Sequence, residues 1–150
     1  MSAITHDSGW NPAGRFGRRS YLAWNMLIGV YFFLIGAIAA FIVPDLTAKN
    51  PNALPFPFMI AAVFLYGIGL YFTVIFSIRR LHDRDHSGWL VLLFLVPLLN
   101  LLLMLYMISA PGNPARNIYG QARVTRGWET AFALLYGLSL FFVLVYTVII

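Results

Sequence analysis

Long uncharged apolar runs alternate along this chain with short polar stretches that carry arginine. Leu22 to Val43 runs about 22 residues without a charge. As a helix that is about 33 Å, enough to cross a hydrocarbon core about 30 Å thick. Phe56 to Ile78 is a second such run. Trp89 to Ala110 is a third, interrupted by Pro97 and Asn100, and Trp128 to Ile150 is a fourth. The pattern predicts an all-α membrane protein: a bundle of four hydrophobic helical segments, the third kinked or re-entrant around Pro97–Asn100. Residues 1–14 read as a mobile polar lead-in, 15–127 as the main membrane domain, and 128–150 as an additional membrane helix. Ala37-Ile38-Ala39 fits a small-x-small cleavage rule, but the apolar run continues past it and no soluble domain follows, so a retained span is expected.

Composition agrees with the pattern. Hydrophobic residues make up 61% of the chain and charged residues 10%, against about 45–50% and about 25% in soluble domains. The absence of cysteine excludes disulfides, thiolate metal sites and cysteine nucleophiles. The net charge of +5 points to membrane orientation and anionic lipid. The arginines are scattered among loops rather than gathered on one basic face, which speaks against nucleic acid. The expected partners are a bilayer with anionic lipids and a membrane protein or second copy. Tyr21, Trp24, Trp89 and Trp128 stand at segment starts, where amphipathic rings settle at headgroup depth.

Loops rich in arginine stay in the cytoplasm. Arg15, Arg18 and Arg19 place the N-terminus there. The Pro44–Pro55 turn, with one Lys and one Asp, suits the outside, and the Arg79–His86 loop suits the inside. Arg116, Arg123 and Arg126 conflict with this if Trp89–Ala110 crosses. A proline-kinked span breaks the rule once but is the commoner arrangement, and it is the one expected here. A hairpin with its tip at Pro97-Leu98-Leu99-Asn100 keeps all nine arginines inside, but a turn at membrane depth needs cover by protein or water.

Candidate chemistry concentrates in Arg79-Arg80-Leu81-His82-Asp83-Arg84-Asp85-His86-Ser87-Gly88-Trp89. If the second helix continues, Arg79 and Asp83 are neighbours at i and i+4. Arg79-Arg80 reads first as a positive-inside anchor on lipid phosphate; one arginine turned inward would instead pair with Asp83 or grip a phosphate or carboxylate ligand. His82 and His86 have the spacing of a zinc pair, with Asp83 or Asp85 as third ligand, but Ser87-Gly88 ends the helix, so no metal and no cofactor is expected. A hydrogen-bonded His82–Asp83 pair that fixes the loop is the preferred role. Ser87 is positioned to cap the next helix, Gly88 to allow close approach and Trp89 to anchor at the interface. Asn117-Ile118-Tyr119-Gly120 reads as a turn with positive φ at Gly120. Gly29, Gly36, Gly67, Gly69 and Gly137 read as packing residues, and Asn25 and Asn100 as bonded to neighbouring helices. The span interiors contain no ionisable acid or base, which counts against an ion-coupled transporter.

Three motifs resemble a family of small bacterial inner-membrane proteins, domain of unknown function 805. They are a G-R-x-x-R-x-x-Y box (Gly14, Arg15, Arg18, Tyr21), R-R-L-H-D-x-x-x-S-G-W (Arg79 to Asp83 and Ser87 to Trp89), and a G-x-x-x-x-N-x-[YF]-G box (Gly112, Asn117, Tyr119, Gly120). The resemblance spans Gly14 to Gly120 and departs at Leu22 and Ala115, where the family often has Trp and Gly. It implies an inner-membrane location and no agreed activity. The hairpin alternative adds a polar cap in which Arg15, Arg18, Asp83 and Asn117 reach one another, with Arg84, Asp85 and His86 as exposed filler. The expected function is structural, lipid-interacting or partner-binding. A small-solute or ion transporter subunit, or a membrane enzyme with a polar site at Arg79–Asp83, are the alternatives. No catalytic residue set is discernible.

Overall fold

The computed structural model describes residues 11–42 and 56–149. The predicted lead-in before residue 11 and the Pro44–Pro55 turn lie outside the described residues. Within them the chain is helical: α1 (Arg18–Ile42), α2 (Phe56–Asp83), a 3-10 helix (Gly88–Leu95), α3 (Pro97–Ser109) and α4 (Gly127–Ile149). Among the described residues, α1, α2 and α4 are the three helices long and apolar enough to cross a membrane.

The boundaries follow local chemistry. α1 starts at Arg18, ahead of its apolar run, so Arg18 and Arg19 ride on the helix. α2 runs past Ile78 and carries the Arg-Arg-Leu-His-Asp motif on its last turns. It ends in a Schellman arrangement: His86 N donates to the Leu81 carbonyl at 3.0 Å and Asp85 N to the His82 carbonyl at 3.1 Å. Asp85 takes the left-handed position, φ 62°, that glycine usually fills. Ser87 then caps the 3-10 helix by accepting from Trp89 N.

The third apolar segment is not one continuous span. The 3-10 helix of 8 residues extends about 16 Å, and α3, with 13 residues, about 20 Å; each is short of a hydrocarbon core about 30 Å thick. Val96 is extended between them and Pro97 opens α3, where its missing N–H costs nothing. The 3-10 helix packs on both α2 and α3. Its start follows the end of α2 by a few residues, and the far end of α3 returns to the same place. There Asn113 N donates to the Asp83 carbonyl at 3.0 Å. Segment 88–109 thus leaves and rejoins one end of the bundle.

The core sits at that end. Phe16, Tyr21, Ile75, Phe76, Leu81, Leu103 and Met107 are buried together, with Trp24 against them. The rings of Phe16 and Trp24 lie 5.6 Å and 5.3 Å from Phe76, a spacing that adds ring–ring attraction to area burial. α4 packs along α1. Of the predicted packing glycines, Gly69 meets the Phe32 ring, whereas Gly29, Gly36, Gly67 and Gly137 face open space. Asn25 bonds the Tyr21 carbonyl of its own helix at 2.8 Å, and Asn100 reaches across to the Phe94 carbonyl at 3.2 Å.

Candidate functional site

At the buried end, α2 delivers Arg79, Arg80, His82 and Asp83 into a space closed by the segment before α1, the end of α3 and the loop 111–126. Arg79 and Arg80 are fully buried and Asp83 nearly so. Charges at such sites are tolerated only when paired and hydrogen-bonded. Asp83 meets that condition with two arginines. Arg80 Nη1 donates to Oδ2 at 2.8 Å, and Arg15 Nε and Nη2 donate to Oδ1 at 3.2 and 3.0 Å. The ion-pair partner within the helix is therefore Arg80, three residues before Asp83, and not Arg79, four before it. Arg79 instead lies over the Phe16 ring, 3.9 Å from its centroid, a favourable cation–π geometry.

The arginines also tie the loop down. Arg15 Nη1 donates to the Ala115 and Gly120 carbonyls at 2.8 and 2.9 Å, and its Nη2 reaches the Asn113 carbonyl. Arg80 Nε donates to the Met107 carbonyl at 2.8 Å and its Nη2 to the Ala110 carbonyl. Arg18 donates to the Ser109 carbonyl at 3.2 Å, and Arg84 to the Pro111 carbonyl at 2.5 Å. Four acceptors between Met107 and Pro111 are thus met by three guanidiniums, which also complement the negative end of the helix dipole. Arg18 caps α3 and does not contact Asp83.

His82 does not bond Asp83. Its ring stacks on Tyr119, 3.7 Å apart and 7° from parallel. Asn117 Nδ2 donates to the His82 carbonyl at 2.7 Å, while Asn117 Oδ1 accepts from Tyr119 N at 2.9 Å. Gly120 closes this turn at φ 112°. Glycine is required elsewhere by proximity. A Cβ at Gly14 would stand 2.6 Å from Arg79 Nη2, and one at Gly112 would overlap the Asp83 carboxylate. Gly88 likewise backs onto Ile78 and His82. Arg15, Arg18, Asp83, Asn117 and the glycines of the three boxes therefore meet in one cap.

Arg84 and His86 are not filler. Arg84 Nε donates to the Tyr106 hydroxyl at 3.0 Å, and His86 Nε2 bonds the same oxygen at 2.7 Å. Among the described residues no group of three potential metal ligands lies together. Trp89 is 78% exposed. Trp24, by contrast, turns inward against the core.

Glu129 is the charged residue the motifs do not announce. It is fully buried. It accepts from Ser20 Oγ at 3.1 Å, Trp24 Nε1 at 3.0 Å, Arg123 Nη1 at 2.9 Å and Arg126 N at 2.8 Å. The last bond is the backbone half of a capping box, and it fixes the start of α4. A lone acid in the first turn of an otherwise apolar helix was its available signal.

No solved structure matches the chain. It is similar to the inner membrane protein YhaI of Escherichia coli K12, with 34% identity over 109 residues, 72% of this chain and 81% of that protein. It is also similar to the inner membrane protein YhaH of the same organism, with 43% identity over 42 residues, 28% of this chain and 35% of that protein. The sequence model for the family described as protein of unknown function DUF805 matches residues 9–121, ending before α4. Three long apolar helices, inner-membrane relatives and a match over most of the length lead to one assignment: the chain is a membrane protein of the DUF805 family.

Proposed function

We propose that this is a non-catalytic, multi-pass inner-membrane protein whose arginine cap faces the cytoplasm and holds a re-entrant segment. In this reading α1, α2 and α4 cross the bilayer, and segment 88–109 enters and leaves on the cytoplasmic side. The protein then serves as a structural, lipid-interacting or partner-binding component. The return of both ends of segment 88–109 to the end of α2, through Arg80 and the Asn113–Asp83 backbone bond, carries the topology. Charge supports it, because all nine arginines then lie on the cytoplasmic side. At the turn between its two helices Val96 N donates to the Leu93 carbonyl, Asn100 N to the Val96 carbonyl and Asn100 Nδ2 to the Phe94 carbonyl, so these backbone groups are met within the segment, as non-spanning backbone near a membrane requires. The non-catalytic reading is supported by the saturation of Asp83, whose two oxygens are both held by buried arginines.

The chain contains no cysteine, so a single introduced thiol reports its side cleanly. A Gln121→Cys variant treated with a membrane-impermeant maleimide should stay unlabelled in intact cells and react after permeabilisation. Labelling in intact cells would place loop 111–126 outside and overturn the topology. Capture of the full chain from native membranes, with lipid analysis of the same sample, tests the binding role. Recovery with neither enriched anionic lipid nor a stoichiometric membrane protein would count against it.

A further inference from the structure

Among the described residues the cap holds more positive charge than its carboxylates balance, and the surplus is concentrated at the end of α3. Arg18, Arg80 and Arg84 converge on the carbonyls of residues 107–111. Asp83, the acid among them, is shared between Arg80 and Arg15. Asp85 is exposed and forms no ion pair among the described residues. Arg80 is buried, but Arg18 is exposed and Arg84 half-exposed. Both retain donors. Among the described residues, Arg18 donates through Nη1 and Arg84 through Nε and Nη1, which leaves Arg84 Nη2 without an acceptor there.

An apolar track leads to the same point. Leu98, Leu102 and Leu105 are 69%, 55% and 53% exposed. With Ser109 they follow the i, i+4, i+7, i+11 spacing of one helix face. The track therefore ends where Arg18 bonds the Ser109 carbonyl. Cations alone would suit any anion. Cations at the end of an exposed leucine track, at the surface end of the bundle, match a phosphate attached to an acyl chain.

We propose that Arg18 and Arg84 hold the phosphate of an anionic phospholipid whose acyl chain lies along Leu98, Leu102 and Leu105. The proposal deepens the lipid-interacting reading above, and its test on solubilised protein does not depend on which side the cap faces. Native mass spectrometry of the full chain in detergent, supplied with phosphatidylglycerol or phosphatidylcholine, reads bound lipid directly. One phosphatidylglycerol should be retained in preference to phosphatidylcholine. An arginine near an anionic surface contributes about 5-fold in affinity, so Arg18→Gln should weaken retention by about 5-fold and R18Q/R84Q by about 30-fold. The surface control R116Q/R126Q should keep the wild-type preference. Arg18 is exposed, with a single side-chain hydrogen bond among the described residues, so its variant tests the site even where loss of Arg84 perturbs folding. Equal retention of the two lipids would overturn the proposal. So would equal losses in R18Q/R84Q and R116Q/R126Q, which would indicate diffuse charge attraction. Displacement of the lipid by an excess of inorganic phosphate alone would assign the arginines to a free anion and overturn it too.

Discussion

The two ends of α2 are built by different physics. Its last five residues, Arg79 to Asp83, are all buried, and they are the most polar stretch of the helix. Its first turns are apolar, yet Phe56, Val63 and Phe64 are 72%, 73% and 68% exposed. In a soluble protein the order would be reversed. Here hydrocarbon solvates the apolar end, so packing there gains little from burial. At the cap, the buried charged groups must find partners within the protein, because the alternative is an unpaired charge at low dielectric. At that end hydrogen bonds between elements join the apolar core around Phe16 and Phe76 in specifying how the elements meet.

That contrast is sharpest at Asp83. Asp83→Ala leaves Arg15 and Arg80 buried without a counter-charge and should cost about 3–5 kcal/mol, read as a large fall in thermal midpoint in detergent. Glu129→Gln keeps the shape but removes the charge that Arg123 and the start of α4 use. It should cost about 1.5–3 kcal/mol and loosen α4 selectively, measurable as faster hydrogen exchange in α4 than in α2. Asp85→Gly relieves the left-handed strain at the end of α2 and should stabilise by about 1 kcal/mol. Tyr106→Phe removes the hydroxyl that Arg84 and His86 share and should cost about 1 kcal/mol. At the opposite extreme, Leu144→Ala on the exposed face of α4 should change stability by less than about 0.5 kcal/mol. Equal costs for Leu144→Ala and Asp83→Ala would erase the distinction between the cap and the hydrocarbon-solvated surface.

The spans were legible in the sequence because an uninterrupted apolar run of about 20 residues is long enough to cross hydrocarbon as a helix. The three boxes were legible as motifs, and their glycines and Asn117 as turn or close-approach residues. Pairing was not legible. Spacing on a helix offers Asp83 both Arg79 and Arg80, and the tertiary setting decides between them: Arg80 turns toward Asp83 and the end of α3, while Arg79 lies over the Phe16 ring. Arg15 lies 68 residues from Asp83 in the chain, so no local pattern links them. The end of α2 was hidden because Asp85, not glycine, takes the left-handed position. Arg84 and His86 looked like filler because their partner, Tyr106, belongs to α3. Glu129 sits at the edge of an apolar run, and burial rather than sequence reveals its role.

The central claim is that the cap draws both ends of segment 88–109 to one side of the membrane, which leaves α4 to carry the chain to the other. Paired fusions of alkaline phosphatase and a fluorescent protein after Ile150 test it directly. An active phosphatase and a dark fluorescent protein are expected, with the fusion point outside the cytoplasm. A bright fluorescent protein with inactive phosphatase would mean that segment 88–109 crosses, and would contradict it.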